Sequence, residues 1–391
     1  MRKLISNHRL KFVILVFGFG LVVVALAGLV RPVAASPASA PVQDPVSAPS
    51  ESPDNAPCLA CHSKPGMTLT LPSGETLSLT IDSSHFTESA HKDIACSECH
   101  TNIVSYPHPD LQVQTLRDFS LQMYTICQKC HEEQYNKTLD SVHMQAMAAG
   151  NKNAAICTDC HNPHTQQIIT DQNGVLLPEA RSSIPEICAR CHSAIYATYK
   201  QSVHGAALTQ AGNTDVPTCI DCHGVHNIAD PTTNAFRLQS PQICAKCHTN
   251  PAIMSKYGIS TQVLNTYVAD FHGTTVTLFE KTTPDQVTNK PVCFDCHGVH
   301  DIKRVDDPVY GLQMKQNLLL ACQRCHPDAN ANFPDAWMSH YIPSPTHYPI
   351  VYYVNLFYKF FIPAVIGSMV IFVVSDIVRR LIERRKGAKH V

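Results

Sequence analysis

Apolar residues concentrate in two long runs, one near each end of the chain. The first, residues 12–30, follows four basic residues and precedes small residues at signal-peptidase spacing, so it predicts an export signal. Its 19 residues are also long enough to cross a bilayer, which leaves a cleaved signal and an uncleaved anchor both open. The second run, residues 360–378, stands between tyrosines and an arginine cluster, which predicts a transmembrane helix.

Between the two runs the chain divides into a spacer and a long polar body. Residues 36–57 carry a proline at every fourth position, which disfavours helix and sheet and predicts an extended linker. The predicted segments are an export signal (1–35), this linker (36–57), the body (58–348), the transmembrane helix (349–378) and a basic cytoplasmic tail (379–391). With the basic tail inside, the body lies on the extracytoplasmic, periplasmic side of the cytoplasmic membrane.

Charge and composition narrow the function of the body. Between residues 36 and 348 there are 18 basic and 29 acidic side chains, a net charge of -11. A nucleic-acid binder needs a basic face, so this class is not expected. Only 44% of the chain is hydrophobic and many of these residues lie in the terminal runs, so we expect something other than protein to fill the interior.

One short motif, Cys-x-x-Cys-His, recurs nine times through the body and uses all 18 cysteines. Disulfides and paired zinc sites are the alternative readings, yet neither requires histidine directly after the second cysteine. This sequence is the attachment motif of c-type haem, with two thioether bonds and an adjacent histidine for the iron. The candidate attachment cysteines are Cys58, Cys61, Cys96, Cys99, Cys127, Cys130, Cys157, Cys160, Cys188, Cys191, Cys219, Cys222, Cys244, Cys247, Cys293, Cys296, Cys322 and Cys325. The candidate proximal ligands are His62, His100, His131, His161, His192, His223, His248, His297 and His326.

From Cys58 to the C-terminus the chain resembles membrane-anchored multihaem c-type cytochromes. The resemblance implies nine covalently bound haem c groups held outside the cytoplasm. About 291 residues serve nine motifs, near 32 residues for each, so the haems themselves would replace the missing aliphatic core. The expected fold is mostly α with extensive irregular structure. Short helices carry the motifs in a linear or bent array, and one C-terminal transmembrane helix follows.

The motifs alternate in the charge of the residue before the second cysteine. It is acidic in the motifs that begin at Cys96, Cys157, Cys219 and Cys293, and basic in those that begin at Cys127, Cys188, Cys244 and Cys322. Strict alternation predicts duplication of a di-haem module, with starts near residues 58, 127, 188 and 244 and a final half module at 322. The charges themselves are interpreted as solvated surface residues that mark the alignment.

Histidines outside the motifs supply candidates for the second axial position. Thirteen remain, and His8 and His390 belong to the terminal segments, which leaves eleven for nine irons. Three of them stand three residues after an acidic motif, too close to reach the opposite face of the same haem, so each is expected to bind a neighbouring haem. Module spacing favours His91, His108, His143, His164, His204, His226, His272, His300 and His340. His85 and His347 are left over, and no methionine recurs at module spacing.

Fully coordinated haems transfer single electrons between close neighbours and leave no position for a substrate. The resemblance therefore implies extracytoplasmic electron transfer, with a quinone-reactive membrane subunit such as a b-type cytochrome and other redox proteins as partners. An alternative is a multihaem oxidoreductase that converts a small nitrogen or sulfur compound at a haem with an open axial site. A structural filament of stacked haem arrays is a third reading, which fits a membrane anchor poorly.

Overall fold

The structure is a computed structural model that describes residues 54–109, 111–337 and 340–387. The predicted export signal and nearly all of the predicted linker lie outside the described residues. The described part is mostly helical with irregular connections, as predicted. Its sheet is a hairpin of strands β1 (Thr68–Thr70) and β2 (Thr76–Ser78), which pair antiparallel with Leu69 opposite Leu77.

Most helices are short, and irregular segments separate them. The first are α1 (Ala56–His62), α2 (Ser83–Thr87), α3 (Cys96–Cys99), α4 (Leu116–Met123), α5 (Glu132–Leu139), α6 (Val142–Ala148), α7 (Cys157–Cys160), α8 (Pro178–Ala189) and α9 (Ser193–Lys200). They are followed by α10 (Val203–Thr209), α11 (Cys219–His223), α12 (Asn234–His248), α13 (Pro251–Met254), α14 (Val263–Ala269), α15 (Phe271–Thr282), α16 (Cys293–His297), α17 (Lys315–Gln323) and α18 (Pro349–Gly387). Helices of the 3₁₀ type cover Tyr124–Lys129, Ser255–Tyr257 and Phe333–Ala336.

The motifs with an acidic residue begin a one-turn helix at their first cysteine. In α7, Asp159 Oδ2 accepts the backbone N–H of Ile156, the residue before Cys157, at 2.8 Å. In α11 the backbone N–H of Thr218 donates to Asp221 Oδ2 at 2.7 Å, and in α16 that of Val292 donates to Asp295 Oδ2 at 2.6 Å. Since an N–H at the start of a helix has no partner within the helix, the acidic side chain stabilises the turn that carries both cysteines.

Several motifs with a basic residue lie instead at the end of a longer helix. Cys188 is near the end of α8, and Cys244 and Cys247 lie in the last turns of α12. Helix α8 begins with Pro178, whose fixed backbone angle suits the first helical position. At the start of α12, the Thr233 hydroxyl accepts the backbone N–H of Phe236 at 3.2 Å, which caps the helix.

Two of the candidate distal histidines lie in the first turn of a helix that begins at a serine. Ser141 caps α6 and Ser202 caps α10, and each hydroxyl accepts the N–H three residues later, at 3.3 and 3.0 Å. His143 and His204 are the second residues of these helices. The Ser-Val-His sequence therefore places the histidine in a defined position because serine is a favoured cap.

The glycines after two distal histidines allow a close helix approach. Gly205 and Gly273 face the backbone carbonyls of Tyr199 and Tyr267, and a Cβ at either position would overlap that oxygen. Each tyrosine hydroxyl is in turn a donor to a proline carbonyl, at 2.8 Å to Pro217 in the case of Tyr199. These contacts hold the segments that carry His204 and His272 against the following motif.

The protein core is small. In the described residues one cluster of buried apolar side chains forms, from Leu238, Val276 and Val292, with Phe279 and Phe294 packed against it. It joins α12 and α15 to the start of α16. So little aliphatic burial stabilises a body of this length only weakly, which agrees with the expectation that bound groups complete the interior.

The C-terminal helix α18 has 39 residues and continues beyond residue 378, where the transmembrane segment was predicted to end. Its most apolar 18-residue window has a mean hydropathy of 2.3 and is not buried against the rest of the described chain, and the helix is long and apolar enough to cross a membrane. The helix extends further because Asp376 pairs with Arg379 at 3.0 Å and Arg380 at 2.6 Å, contacts that stabilise a helical turn.

Candidate haem sites

The 18 motif cysteines are all free. All 18 lie in the described part of the chain, and none forms a disulfide. Within that part there is also no group of three or more His, Cys, Asp or Glu side chains arranged to hold a metal ion, as a zinc site would need. In the motif helices the two cysteines stand three residues apart, which puts them on one side of the turn.

Every motif histidine lies opposite one histidine from outside the motifs, with ring centres 6.0 to 6.3 Å apart. In the order of the motifs, the pairs are His62 with His108, His100 with His164, His131 with His91, His161 with His226, His192 with His143, His223 with His300, His248 with His204, His297 with His340, and His326 with His272. The structure thus brings all nine candidate distal histidines next to a motif histidine.

The distance within the pairs fits an iron between two imidazoles. Metal–imidazole bonds are about 2.0 Å long, and a ring nitrogen lies about 1.1 Å from its ring centre, given C–N bonds of about 1.33 Å. Two axial imidazoles therefore have ring centres about 6.2 Å apart. A direct hydrogen bond of about 2.9 Å between ring nitrogens would bring the centres to about 5.1 Å or less. The observed spacing matches axial ligation and exceeds that of a direct bond.

Hydrogen bonds to the other ring nitrogen leave Nε2 available for a metal. His62 Nδ1 lies 2.8 Å from the Leu79 carbonyl, and His91 Nδ1 lies 2.9 Å from the Pro163 carbonyl. A carbonyl only accepts, so Nδ1 carries the proton and donates it. This is the arrangement that orients metal-bound histidine in proteins.

Burial keeps several of these rings neutral. Burial, and to a smaller extent the charge of neighbouring histidines, lowers the pKa of His164, His204 and His297 to about 4. A neutral imidazole has the free lone pair that a metal needs, whereas a protonated one does not. The electrostatics of the pairs therefore agree with their spacing.

The pairing crosses from one part of the chain to the next. His226, three residues after the motif of Cys219, lies opposite His161 and not opposite its neighbour His223. His164 and His300 behave alike, opposite His100 and His223. Backbone bonds support this crossing three times, from Ala90 N–H to the Gln166 carbonyl, from Val142 to Ile228 and from Val203 to Ile302, at 2.7 to 2.8 Å.

The motifs follow one another in space in their chain order. The first cysteines of two successive motifs interact directly in four cases, Cys58 with Cys96, Cys127 with Cys157, Cys188 with Cys219, and Cys244 with Cys293. At the intervening steps the second cysteine of an acidic motif lies near the next motif, as Cys99 near Cys127, Cys160 near Cys188, Cys222 near Cys244, and Cys296 near Cys322. Two kinds of contact therefore alternate along the series.

In three of the motifs, the acidic residue forms an ion pair with an arginine that lies outside the motif. Arg181 donates through Nη2 to Asp221 Oδ2 and to the Val216 carbonyl, both at 2.8 Å, and through Nε to the Thr214 carbonyl at 3.0 Å. The side chains of this ion pair are only 20% and 33% exposed. Related ion pairs join Arg117 to Asp159 at 2.8 Å and Arg237 to Asp295 at 2.7 Å.

The sequence suggested that the alternating motif charges are solvated surface residues. The structure shows that several of them form specific contacts instead. Three of the four acidic members accept these arginine bonds, and two of the basic members bind the backbone of the preceding motif. Arg190 donates to the Asp159 carbonyl at 2.9 Å, and Arg324 donates to the Asp295 carbonyl at 2.8 Å. The alternation thus corresponds to contacts between successive motifs.

Replacing Arg181 by alanine should destabilise the protein by about 2 kcal/mol, because Asp221 and two carbonyls lose a charged donor in a largely buried place. Denaturant unfolding of the full chain, followed by circular dichroism, measures this loss. Arg304→Ala is the matched control, since Arg304 and Asp306 are 71% and 50% exposed and solvent screening leaves their ion pair little effect on stability. Equal losses in the two variants would contradict the assignment.

One comparison with known proteins found a family. Residues 147–196 match the family described as Doubled CXXCH motif. This match points to a multihaem c-type cytochrome. The stretch contains the motifs of Cys157 and Cys188, whose sequence indicates covalent binding of c-type haem. No curated protein and no solved structure matches the chain.

The two histidines that the sequence analysis left over have other neighbours in the structure. His85 pairs with Asp82 at 3.0 Å, and His347 stacks on Tyr341 at 5.3 Å, so neither described ring lies opposite a motif histidine. The arginines were missed, although two of them precede the first cysteine of a basic motif by seven residues. In the first part of the body Asn55 occupies a comparable place, since its Oδ1 accepts the N–H of Cys96 at 2.9 Å.

Proposed function

We propose that this protein transfers electrons through nine covalently bound c-type haems, each held by two axial histidines. The observation that carries the proposal is the set of nine histidine pairs with ring centres 6.0 to 6.3 Å apart. In this proposal the motif cysteines attach the porphyrins and the motif histidines bind the irons from one side. The nine other histidines bind from the opposite side. When bound, haems supply one-electron oxidation and reduction.

Electron transfer is favoured over catalysis by the coordination. A haem enzyme needs an iron with an open axial position and acid–base groups above it. Every motif histidine in the described residues has a histidine partner, which would leave each iron with two protein ligands. The residues therefore hold, orient and shield the haems, and the contacts between successive motifs keep the haems in a series.

We further propose that the series consists of repeated two-haem modules that exchange ligands. Each module would donate one distal histidine forward and receive one from the next module. His204 and His300 illustrate this exchange at one junction, opposite His248 and His223. The first module has no predecessor, and its first motif histidine, His62, lies opposite His108 of the same module. Direct contact between first cysteines within each module supports the same division.

The proposed location is the extracytoplasmic side of the cytoplasmic membrane, with α18 as the anchor. Its arginine cluster would lie in the cytoplasm, following the preference of basic residues for that side. A quinone-reactive membrane subunit, such as a b-type cytochrome, would deliver electrons, and other redox proteins would take them up. The polar residues Ser368 and Asp376 within α18 support a protein partner for this helix.

All nine haems should be low-spin if each iron has two axial histidines. Electron paramagnetic resonance of the oxidised full-length protein, together with the haem-to-protein ratio, measures both claims. The expected result is nine haems per chain and no substantial high-spin ferric signal. A strong high-spin signal in intact protein would support the alternative function, an oxidoreductase with one open haem.

A further inference from the structure

The segment after the last motif follows the pattern of the acidic motifs without their cysteines. Histidines 164, 226 and 300 each stand three residues after a motif histidine, and Trp337 stands three residues before His340. In this register the sequence Phe-Pro-Asp-Ala-Trp of residues 333–337 aligns with Cys-x-Asp-Cys-His. Phe333 takes the position of the first cysteine, Asp335 that of the acidic residue, and Trp337 that of the ligand histidine.

Local structure supports this register. The 3₁₀ helix Phe333–Ala336 stands where the acidic motifs form their one-turn helix. The backbone N–H of Asp335 donates to the Asn332 carbonyl at 3.1 Å, as that of Asp295 donates to the Val292 carbonyl at 3.0 Å. The segment therefore has the local turn of an attachment motif.

A long-range contact gives the same alignment independently. Lys315 donates to Asp335 Oδ2 at 2.8 Å, in the way that Arg237 donates to Asp295 Oδ2 at 2.7 Å. Lys315 and Arg237 both precede the first cysteine of a basic motif by seven residues. An ion pair from the same sequence position is thus repeated here on a segment without cysteine, with side chains that are more exposed, at 51% and 61%.

The two aromatic rings of this segment contact both histidines of the last pair. The Phe333 ring centre lies 5.2 Å from that of His326, and the Trp337 ring centre lies 6.3 Å from that of His272. Trp337 is also 6.3 Å from His340, the partner of His297. Trp337 is the only tryptophan of the chain, and it lies between the distal histidines of the last two sites.

We infer that residues 333–337, together with His340, form a haem-free counterpart of the attachment motif that ends the series, with Phe333 and Trp337 as positioning residues for the axial histidines of the last haem. The inference rests on the proposed function, since it assumes haem at Cys293 and Cys322. The rings hold His272 and His326 in orientation and cover part of that end, with Phe333 itself 43% exposed. Because a drier site disfavours the extra charge of ferric iron, they raise the reduction potential of the last haem.

Redox titration of the full-length protein and its single variants, followed by paramagnetic resonance, tests this inference. Trp337→Ala should lower the potentials of two haems, those of Cys322 and Cys293, because Trp337 contacts a ligand of each. Phe333→Ala should lower only the potential of the Cys322 haem. Trp337→Phe should reverse most of the change in potential that Trp337→Ala causes. His272→Met identifies the Cys322 haem beforehand, since methionine ligation raises the potential.

Phe236→Ala is the matched control, because Phe236 stacks on His223 at 5.7 Å, in another part of the series. It should shift the Cys219 haem and leave the last two unchanged. Unshifted potentials in Trp337→Ala, or equal shifts in all haems, would overturn the inference. Haem content and spin state are measured on every sample. Fewer than nine haems in the unmodified protein would overturn the proposed function instead.

Discussion

In the His226→Met variant, we expect the haem attached at Cys157 and Cys160 to change its reduction potential and spectrum. The His226 ring centre lies 6.3 Å from His161, the motif histidine of that haem. Methionine in place of an axial histidine raises the potential, because the thioether stabilises ferrous iron. Redox titration followed by paramagnetic resonance should therefore show one haem of nine moved to higher potential. The size of this effect should exceed that of any variant that leaves the ligands in place.

The haem at Cys219 and Cys222 is the internal reference for this experiment. It is attached three residues before His226, yet its motif histidine His223 lies opposite His300 at 6.0 Å. Its potential should stay the same. His85→Met is the matched control, because His85 pairs with Asp82 on the surface and its replacement should shift no haem. If the Cys219 haem moves instead, the exchange of ligands between modules is wrong.

A chain that ends before Ile350 should keep its haems and lose its connection to the membrane. The apolar window of α18 is not buried against the rest of the described chain, so its removal exposes no core. We expect a soluble protein with nine haems that small reductants still reduce. Reduction by quinol in membranes should be lost, because the proposed membrane partner would no longer hold the Cys322 haem nearby. Absorbance in the haem bands measures both rates.

The full-length protein in the same membranes is the control for this truncation. About 20 residues separate His326 from the start of α18 at Pro349, fewer than for any other motif histidine, which places the last haem site closest to the anchor along the chain. Equal quinol-dependent reduction of the truncated and full-length forms would show that α18 has no part in electron entry. A truncated form without haem would instead point to a folding role for the helix.

Much of the candidate site could be predicted from local sequence. The attachment cysteines and motif histidines follow from a five-residue pattern, because two thioether bonds and one ligand fit within one turn of backbone. Serine before Val-His predicts the helix start that positions His143 and His204. Likewise, the three-residue spacing of His226 from its motif excludes ligation of its own haem, and the structure places it opposite another motif histidine.

Other features depended on contacts between distant residues. Arg181 and Asp221 are 40 residues apart. The sequence shows that both side chains are charged, but not whether they are solvated or form a half-buried ion pair. The aromatic segment at Phe333 and Trp337 has no cysteine, so a search for motifs passes over it. Only the contact of Lys315 with Asp335 and the rings against His272 and His326 showed its position.

By itself the sequence determined what the chain can bind, because covalent attachment and ligand identity reside in side chains that a short motif holds together. It also determined the apolar helix, since a run of 19 residues with a single charge, that of Asp376, is long and apolar enough to favour a helix that can cross a membrane. Tertiary structure alone decided which of the other histidines lies opposite which motif histidine. His161 and His226 are separated by 65 residues, and the entropy of closing such a loop is nearly the same for many partners. The backbone bonds, arginine ion pairs and cysteine contacts between successive motifs select one partner among them.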